Sequence, residues 1–271
     1  MEGSRDILSA AAILERMNTA WAGRTVIYDE VVDSTNHRAM CLDLDMGVHG
    51  TLVASGIQTA GKGRRGRVWE SVSDTNIYMS LLLRPLTAPD KAPMLTLVMA
   101  LSAAEAISEV AGADVGIKWP NDIVLNRKKV CGILTEMRAA KGRIERVVIG
   151  VGMNVNTPGF SPEIAAAATS LMLETGKTYL RVELIAAVMQ RFEKNYEMFM
   201  QTEDLSLILK EYNRLLVNRG RDVRVLEPAQ EYVGHALGID EKGKLHVRKS
   251  GGSITEISAG EVSVRGLYGY V

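Results

Sequence analysis

The chain has 271 residues and a mass of 29.6 kDa, which suits one large domain or a large domain with a small companion. Its 46% hydrophobic and 24% charged residues exclude intrinsic disorder, collagen-like repeats and small disulfide-stabilised scaffolds. Lysine plus arginine and aspartate plus glutamate number 32 each, so we expect no surface that coats DNA or an anionic membrane. The two cysteines lack metal-site spacing and the N-terminus lacks a secretory signal, which favours the reducing cytoplasm.

Short β-branched segments alternate with longer helical patterns from Arg24 onward, which predicts a mixed α/β domain around a central sheet. Strands are predicted at 25–32, 51–57, 77–83, 115–119, 129–137 and 146–154. Helical patterns cover 9–21, 95–110 and 185–199. The apolar segment 92–104 is shorter than the ~20 residues of a membrane span, so we expect a buried helix there. The single N-terminal helix leaves no room for a helix-turn-helix, and we expect no specific DNA binding.

The C-terminal part of the chain changes from helical periodicity, which ends near Leu216, to short strands separated by glycine-containing turns. These strands are predicted at 222–226, 232–239, 244–248, 253–258 and 261–265. Their length and spacing predict a small β-barrel appended to the main domain. We therefore divide the chain into a large domain at 1–217 and a small domain at 218–271.

The segment 61–67, GKGRRGR, combines four cations and three glycines directly after a predicted strand. Glycine lets backbone amides approach an anion, and arginine offers phosphate or carboxylate a planar, permanently charged fork. Four like charges repel one another, which favours a mobile loop that orders over a polyanionic ligand. A solvated basic loop or a non-specific nucleic-acid patch explains the composition equally well. The glycine spacing differs from that of a P-loop or a Rossmann fingerprint.

The segment 118–122, KWPND, is a turn signal that precedes the strand carrying Lys129. A turn between two strands would bring Asn121, Asp122 and Lys129 towards one point. Asp122 would then help to hold a magnesium ion on phosphate oxygens, and Lys129 would neutralise charge on a transferring phosphorus. On these residues alone, a hairpin whose charged side chains face water is the favoured alternative.

Two further segments carry weaker signals. The strand that ends in GVGMNVN contains Gly150 and Gly152, and glycine inside a strand indicates close approach of a ligand or of neighbouring backbone. A bulge without a ligand is the commoner explanation. The segment 33–36, DSTN, follows a strand and precedes a helical pattern, so taken alone it is favoured as a helix N-cap.

In this order, the segments closely resemble the biotin–protein ligases. The resemblance covers nearly the whole chain beyond Arg24. It comprises DSTN, QTA at 58–60, the basic loop with Trp69, Asn76, Ser80, Arg84 with Pro85, KWPND, the Lys129 strand with Gly132 and Glu136, GVGMNVN, TSL at 169–171 and the C-terminal strands. It implies a class II synthetase-like mixed β-sheet flanked by helices, followed by an SH3-like β-barrel.

The resemblance implies a two-step reaction. Biotin and ATP, the latter with Mg²⁺, give biotinyl-5′-AMP and pyrophosphate, and a lysine of a biotin carboxyl carrier domain then attacks the mixed anhydride. It leaves association of two chains into a homodimer open, and implies no membrane partner. The rival activities are a lipoate or octanoate ligase of the same fold, and a non-catalytic nucleic-acid or effector-binding protein that uses the basic loop.

The same resemblance assigns roles to individual residues. The expected catalytic residues are Lys129, Arg64 and Asp122. The expected biotin contacts are Ser34, Thr35, Asn36, Gln58, Lys62, Gly63, Arg64, Lys129 and Gly132. The expected ATP and adenylate contacts are Arg64, Arg67, Trp69, Lys118, Asn121, Lys129, Gly150, Gly152 and Asn154. No permanent metal site is expected, and Mg²⁺ would arrive with ATP near Asp122.

This chain departs from the family pattern in two places. The family usually has arginine where this sequence has Lys62, and lysine keeps the charge but loses the two-pronged hydrogen bonding of a guanidinium. The sequence also begins without the N-terminal DNA-binding domain of some relatives, so we expect a member that acts only as a ligase.

Overall fold

The computed structural model describes residues 6–72, 74–226, 231–259, 263–266 and 270. In these residues the chain forms a seven-stranded mixed sheet flanked by helices, and a five-stranded antiparallel sheet. The predicted fold class, with its small C-terminal β-domain, is confirmed. The helices are α1 Ala10–Arg16, α2 Thr35–Met40, α3 Met94–Ala111, α4 Leu171–Thr175, α5 Arg181–Thr202 and α6 Leu209–Leu215.

The large sheet has the strand order β1-β2-β3-β7-β6-β5-β4. Its strands are β1 Thr25–Val32, β2 Thr51–Gln58, β3 Ile77–Leu83, β4 Gly116–Lys118, β5 Asp122–Leu125, β6 Lys128–Ala140 and β7 Arg143–Met153. β1 and β2 pair in parallel, and the remaining neighbours are antiparallel. All six predicted strands are present, and β5 is an additional strand that the sequence analysis missed.

Helices cover both faces of the large sheet. Leu81 belongs to the main core with α3 and α5, whereas Leu82, the next residue of β3, packs with Ala39 of α2 and Val148 of β7. Successive side chains of a strand point to opposite faces, so α2 lies across the sheet from α3 and α5. The face with α2 is the one that carries the functional site.

Helix α3 is the predicted buried helix. The stretch Pro89–Ala111 is long and apolar enough to cross a membrane, but 72% of its most apolar window is buried inside the protein. It ends at Gly112, which adopts a left-handed conformation with φ +63°, a usual helix stop. The apolar stripe of α5 is likewise core, as predicted, since Ile185, Met189 and Phe192 are fully buried.

The small domain is the predicted group of short strands. It contains β8 Asp222–Leu226, β9 Glu231–Ile239, β10 Leu245–Lys249, β11 Ile254–Ile257 and β12 Ser263–Gly266. They pair antiparallel in the order β11-β10-β9-β8-β12. The first two residues of the predicted strand 261–265 lie outside the described residues.

The small domain packs closely against the turn between β4 and β5. Trp119 of this turn donates a hydrogen bond from Nε1 to the carbonyl of Gly243, at 3.1 Å. Its backbone N–H donates to Oδ1 of the buried Asn218, at 2.8 Å. Apolar residues of both domains belong to one continuous core. The small domain is therefore held beside the functional site.

Candidate active site

Two adjoining cavities open where the basic loop, the start of α2 and the β4–β5 turn meet. The first cavity, of about 50 Å³, is lined by all nine residues predicted to contact biotin. The second cavity, of about 310 Å³, is lined by six of the predicted ATP contacts. These six are Arg64, Arg67, Trp69, Lys118, Asn121 and Lys129. The structure thus brings together residues that are far apart in the sequence.

The start of α2 forms one wall of the first cavity. Ser34 occupies the N-cap position, as the local pattern predicted, but its side chain makes no capping hydrogen bond. Gln58 Oε1 accepts a hydrogen bond from the Thr35 backbone N–H at 2.9 Å. Ser80 Oγ lies 2.8 Å from Thr35 Oγ1 and 2.6 Å from Asn36 Oδ1. The hydroxyl and amide groups of this wall are therefore held in place by one another.

Asn36 is the centre of that wall. Its Nδ2 donates to the Leu134 carbonyl at 3.1 Å and to Glu136 Oε2 at 2.7 Å, and its Oδ1 is next to Ser80. Both amide hydrogens are used within the protein, so in this arrangement Asn36 has no N–H left for biotin, which it was expected to contact. The geometry supports a role in shaping the cavity. Ser80 and Glu136 had been noted only as part of the family pattern, and this network gives both a place in the wall.

The basic loop folds back between the two cavities. Lys62 pairs with Val68, and Gly63 N–H donates to the Arg67 carbonyl at 2.7 Å. Arg64 lines both cavities, donates from Nη1 to Asn121 Oδ1 at 3.0 Å, and donates from Nη2 to the Ala259 carbonyl. Desolvation lowers the pKa of Arg64, although the charge of Asp122 opposes this. A partly buried guanidinium bonded to neutral oxygens would be stabilised by an arriving anion.

The KWPND turn brings its charged residues together as predicted. Lys129 Nζ lies 2.7 Å from Asp122 Oδ1, with only 25% and 14% of the two side chains exposed. Lys118 and Asn121 are also buried. The favoured alternative, a hairpin whose charges face water, is therefore wrong. The turn leads into β5, which starts at Asp122 and pairs with β6.

Asp122 is held as a carboxylate. Burial would raise its pKa, but the charge and hydrogen bond of Lys129, a hydrogen bond from Tyr270 and the charge of Lys118 outweigh burial and lower the pKa. Tyr270 Oη donates to Asp122 Oδ2 at 2.5 Å, and Lys118 Nζ lies 3.3 Å from the centre of the Tyr270 ring. Tyr270 is a site residue that the sequence analysis missed, because nothing local marks it.

The strand glycines make room for protein side chains. A Cβ atom on Gly150 would lie 2.2 Å from Asn36 Oδ1, and one on Gly152 would lie 2.6 Å from the Trp69 ring. Gly132 pairs with Gly152 across β6 and β7, and its Cβ would also meet Trp69, at 2.7 Å. The two paired glycines form a flat floor under the indole. The sequence analysis weighed close approach of a ligand or of neighbouring backbone against a bulge, whereas in this structure the side chains of Asn36 and Trp69 occupy the space.

The remaining predicted nucleotide contacts lie in two other places. Gly150 and Gly152 line the first cavity and not the second. Asn154 is buried and lines neither, because its Nδ2 donates to the Thr169 carbonyl at 3.1 Å and its backbone N–H donates to the Val130 carbonyl at 2.8 Å. The structure therefore places Asn154 as a connector between segments, and its contact with adenosine stays a prediction.

The site does not fit a resident magnesium ion. Within the described ranges, no group of three or more histidine, cysteine, aspartate or glutamate side chains is placed to hold a metal. Asp122, the expected ligand, already has one oxygen on Lys129 and the other on Tyr270. Its role in this structure is that of a counter-charge for Lys129. The association of Mg²⁺ with ATP at this site stays a prediction.

Comparison with known proteins agrees with this geometry. Residues 28–154 match the model of the biotin/lipoate A/B protein ligase family, and residues 220–265 match the biotin protein ligase C-terminal domain. The chain is 39% identical over 240 residues to the bifunctional ligase/repressor BirA of Bacillus spizizenii, covering 88% of this chain and 74% of that protein. The chain belongs to the biotin protein ligase family.

Two further relatives support the same assignment. The biotin–[acetyl-CoA-carboxylase] ligase of Paracoccus denitrificans is 31% identical over 226 residues, which cover 81% of this chain and 92% of that protein. The crystallised biotin protein ligase of Aquifex aeolicus, in complex with biotin and ATP, superposes with a TM-score of 0.79 at 32% identity, covering 89% and 99% of the two chains. The predicted activity of a biotin protein ligase working through biotinyl-AMP is confirmed, and the lipoate ligase and non-catalytic alternatives are set aside.

Proposed function

We propose that this biotin protein ligase binds biotin in the first cavity and the ATP phosphates in the second, and joins them at the wall that the cavities share. The observation that carries this proposal is that Lys129 and Arg64 line both cavities. The second cavity also has Arg65, Arg67 and Lys118 on its walls, and among the described residues that line it Asp122 is the single carboxylate. Such an excess of cations suits a triphosphate.

The first step requires charge screening more than proton transfer. A carboxylate oxygen of biotin attacks the α-phosphorus of ATP, an O–P bond forms, and the bond to pyrophosphate breaks. The biotin carboxylate is already ionised, so no general base is needed, but it must approach a negatively charged phosphate. Lys129, held by Asp122, and Arg64 neutralise that repulsion from fixed positions. The first cavity is narrow, so we expect the loop at 61–67 to move when biotin enters.

In the second step the amine of an acceptor lysine attacks the acyl carbon of biotinyl-AMP, forming an amide and releasing AMP. The name of the Paracoccus relative gives acetyl-CoA carboxylase as the acceptor of that enzyme, and we propose the biotin carboxyl carrier domain of such a carboxylase as the acceptor here. We place this reaction in the cytoplasm. We also propose that the chain divides into a catalytic unit at 1–217 and a C-terminal unit at 218–271, the latter supporting ATP binding and the docking of the carrier. The contacts of Ala259 and Tyr270 with site residues favour the first of these two roles.

The activity is tested with purified protein, ATP and one acid at a time. Biotin, lipoate and octanoate are each incubated with the protein, and the acyl-adenylates are identified by mass spectrometry. Only biotin is expected to give an adenylate. When a purified carrier domain is then added, the protein should transfer biotin to it. Adenylate formed from lipoate, with none formed from biotin, would contradict the proposal.

Lys62 provides a prediction about retention of the intermediate. It lines the first cavity on the basic loop, where an arginine would offer two parallel hydrogen bonds to a carboxyl or phosphate group. One added hydrogen bond of about 1 kcal/mol corresponds to roughly a fivefold slower release, so Lys62→Arg should slow dissociation of biotinyl-AMP by about that factor. Release is measured by filtration of preloaded enzyme. The control is Lys141→Arg on the β6–β7 turn, and an unchanged release rate in Lys62→Arg would refute the prediction.

A further inference from the structure

Tyr270, the penultimate residue of the chain, lies on the wall of the second cavity. Its hydroxyl donates to Asp122 Oδ2 at 2.5 Å, and its ring faces the Lys118 ammonium at 3.3 Å from the ring centre. Tyr270 therefore contacts the carboxylate of Asp122 through its hydroxyl and the ammonium of Lys118 through the face of its ring.

The hydroxyl of Tyr270 completes the surroundings of Asp122. Lys129 Nζ engages Oδ1 of this carboxylate at 2.7 Å, and the phenol engages Oδ2. A carboxylate held at both oxygens cannot rotate about its Cβ–Cγ bond without losing a contact. The orientation of Lys129, which lines both cavities, is thus tied to Tyr270 through Asp122.

The ring of Tyr270 constrains Lys118 in a different way. Lysine has a long, flexible side chain, and a cation resting on an aromatic face loses part of that freedom. Lys118 is only 6% exposed and lines the second cavity. The ring therefore keeps a cation beside the second cavity, which we propose binds the phosphates of ATP.

The C-terminal domain makes a second contact of this kind. The Ala259 carbonyl accepts a hydrogen bond from Arg64 Nη2, and Arg64 also lies between the cavities. The C-terminal part of the chain thus contacts Arg64, Lys118 and Asp122 directly, and Lys129 through Asp122.

We propose that Tyr270 is a positioning residue for biotinyl-AMP formation, because it fixes Asp122 with its hydroxyl and Lys118 with its ring in the geometry that receives ATP. The inference rests on the function proposed above and deepens it, since it links the C-terminal segment to the ATP step. Tyr270 acts through these two side chains and is not itself a catalytic residue.

The test compares Tyr270→Phe, which keeps the ring and loses the hydroxyl, with Tyr270→Leu, which loses both. ATP-dependent pyrophosphate exchange is measured against ATP and against biotin, and biotin binding is titrated without ATP. One hydrogen bond to a charged group predicts that Tyr270→Phe lowers kcat/KM for ATP roughly tenfold, and Tyr270→Leu more strongly. The Kd for biotin should change less than kcat/KM for ATP, because Tyr270 contacts Asp122 and Lys118 directly and Lys129 only through Asp122. The control is Tyr232→Phe. Tyr232 is another tyrosine of the C-terminal domain beside a lysine, and its ring centre lies 4.2 Å from Lys249 Nζ.

The pH profile separates positioning from general loss of structure. Among the described residues, the titratable groups that interact with Asp122 are Lys129, Tyr270, Lys118, Arg64 and Cys131. Loss of the Tyr270 hydrogen bond raises the pKa of Asp122, so the acidic limb of kcat/KM for ATP should move to higher pH in Tyr270→Phe. A wild-type profile and a wild-type ATP dependence in Tyr270→Phe would overturn the inference, and so would equal losses for ATP and biotin. If wild-type enzyme forms no biotinyl-AMP at all, the proposed function fails instead.

Discussion

Replacing Lys129 with alanine is expected to lower the rate of biotinyl-AMP formation by roughly 100- to 1000-fold, the usual effect of removing a preorganised donor to developing charge. Lys129 is the ammonium that lines both cavities, and its partner Asp122 fixes its position at 2.7 Å. Without it, the biotin carboxylate and the α-phosphate of ATP approach with less screening. Single-turnover formation of adenylate, at saturating biotin and ATP, measures the effect. A wild-type rate in Lys129→Ala would remove Lys129 from this role.

The same substitution is also expected to affect stability. Asp122 has 14% of its side chain exposed and would lose the main opposite charge. Breaking a buried pair by removal of one partner costs about 3 kcal/mol, less what Tyr270 and Lys118 still supply. Adding Asp122→Asn to Lys129→Ala should restore much of the free energy of unfolding without restoring the rate. Recovery of both quantities would show that the lost activity came from misfolding.

Most of the fold was predictable because strands and helices in this chain carry regular patterns. The buried strand β3 is a continuous apolar segment, and α5 repeats its apolar residues at helical spacing. β5 was missed for a local reason. It has four residues, and the turn that ends it uses Asn126 and Arg127 in left-handed conformations, φ 47° and 66°, where the usual hairpin signal is glycine.

The site was predictable where its residues lie close to one turn. Asp122 starts β5, Asn121 directly precedes it, and Lys129 lies on β6, the strand that pairs with β5. The convergence of these residues therefore follows from local sequence. Tyr270 reaches Asp122 from 148 residues away, and that contact depends on how the small domain packs beside Trp119. The reason for a glycine at position 150 could not be predicted either. The sequence shows that this strand position lacks a side chain, but it does not show which neighbouring side chain occupies the space.

Gly150→Ala is expected to have the second largest effect. Gly150 pairs with Ser80 on β3 and with Leu134 on β6, and the Asn36 side chain lies over this row. The new Cβ would lie 2.2 Å from Asn36 Oδ1, and a short overlap is tolerated only when the other side chain can move. Asn36 cannot move freely, because Ser80, the Leu134 carbonyl and Glu136 all hold its amide. Overpacking of this kind costs about 1–3 kcal/mol of stability, measured by chemical unfolding.

The first cavity should lose biotin affinity by up to about tenfold in Gly150→Ala, since Thr35 and Ser80 shift with Asn36, and one buried hydrogen bond is worth about 1.5 kcal/mol at most when neutral. Gly159→Ala is the matched control, because a Cβ there meets nothing within 4 Å. The double variant Gly150→Ala with Asn36→Ala removes the overlap, so its loss of stability should be smaller than the sum of the two single losses. Additive losses would mean that Gly150 and Asn36 act independently, and that the glycine is required for another reason.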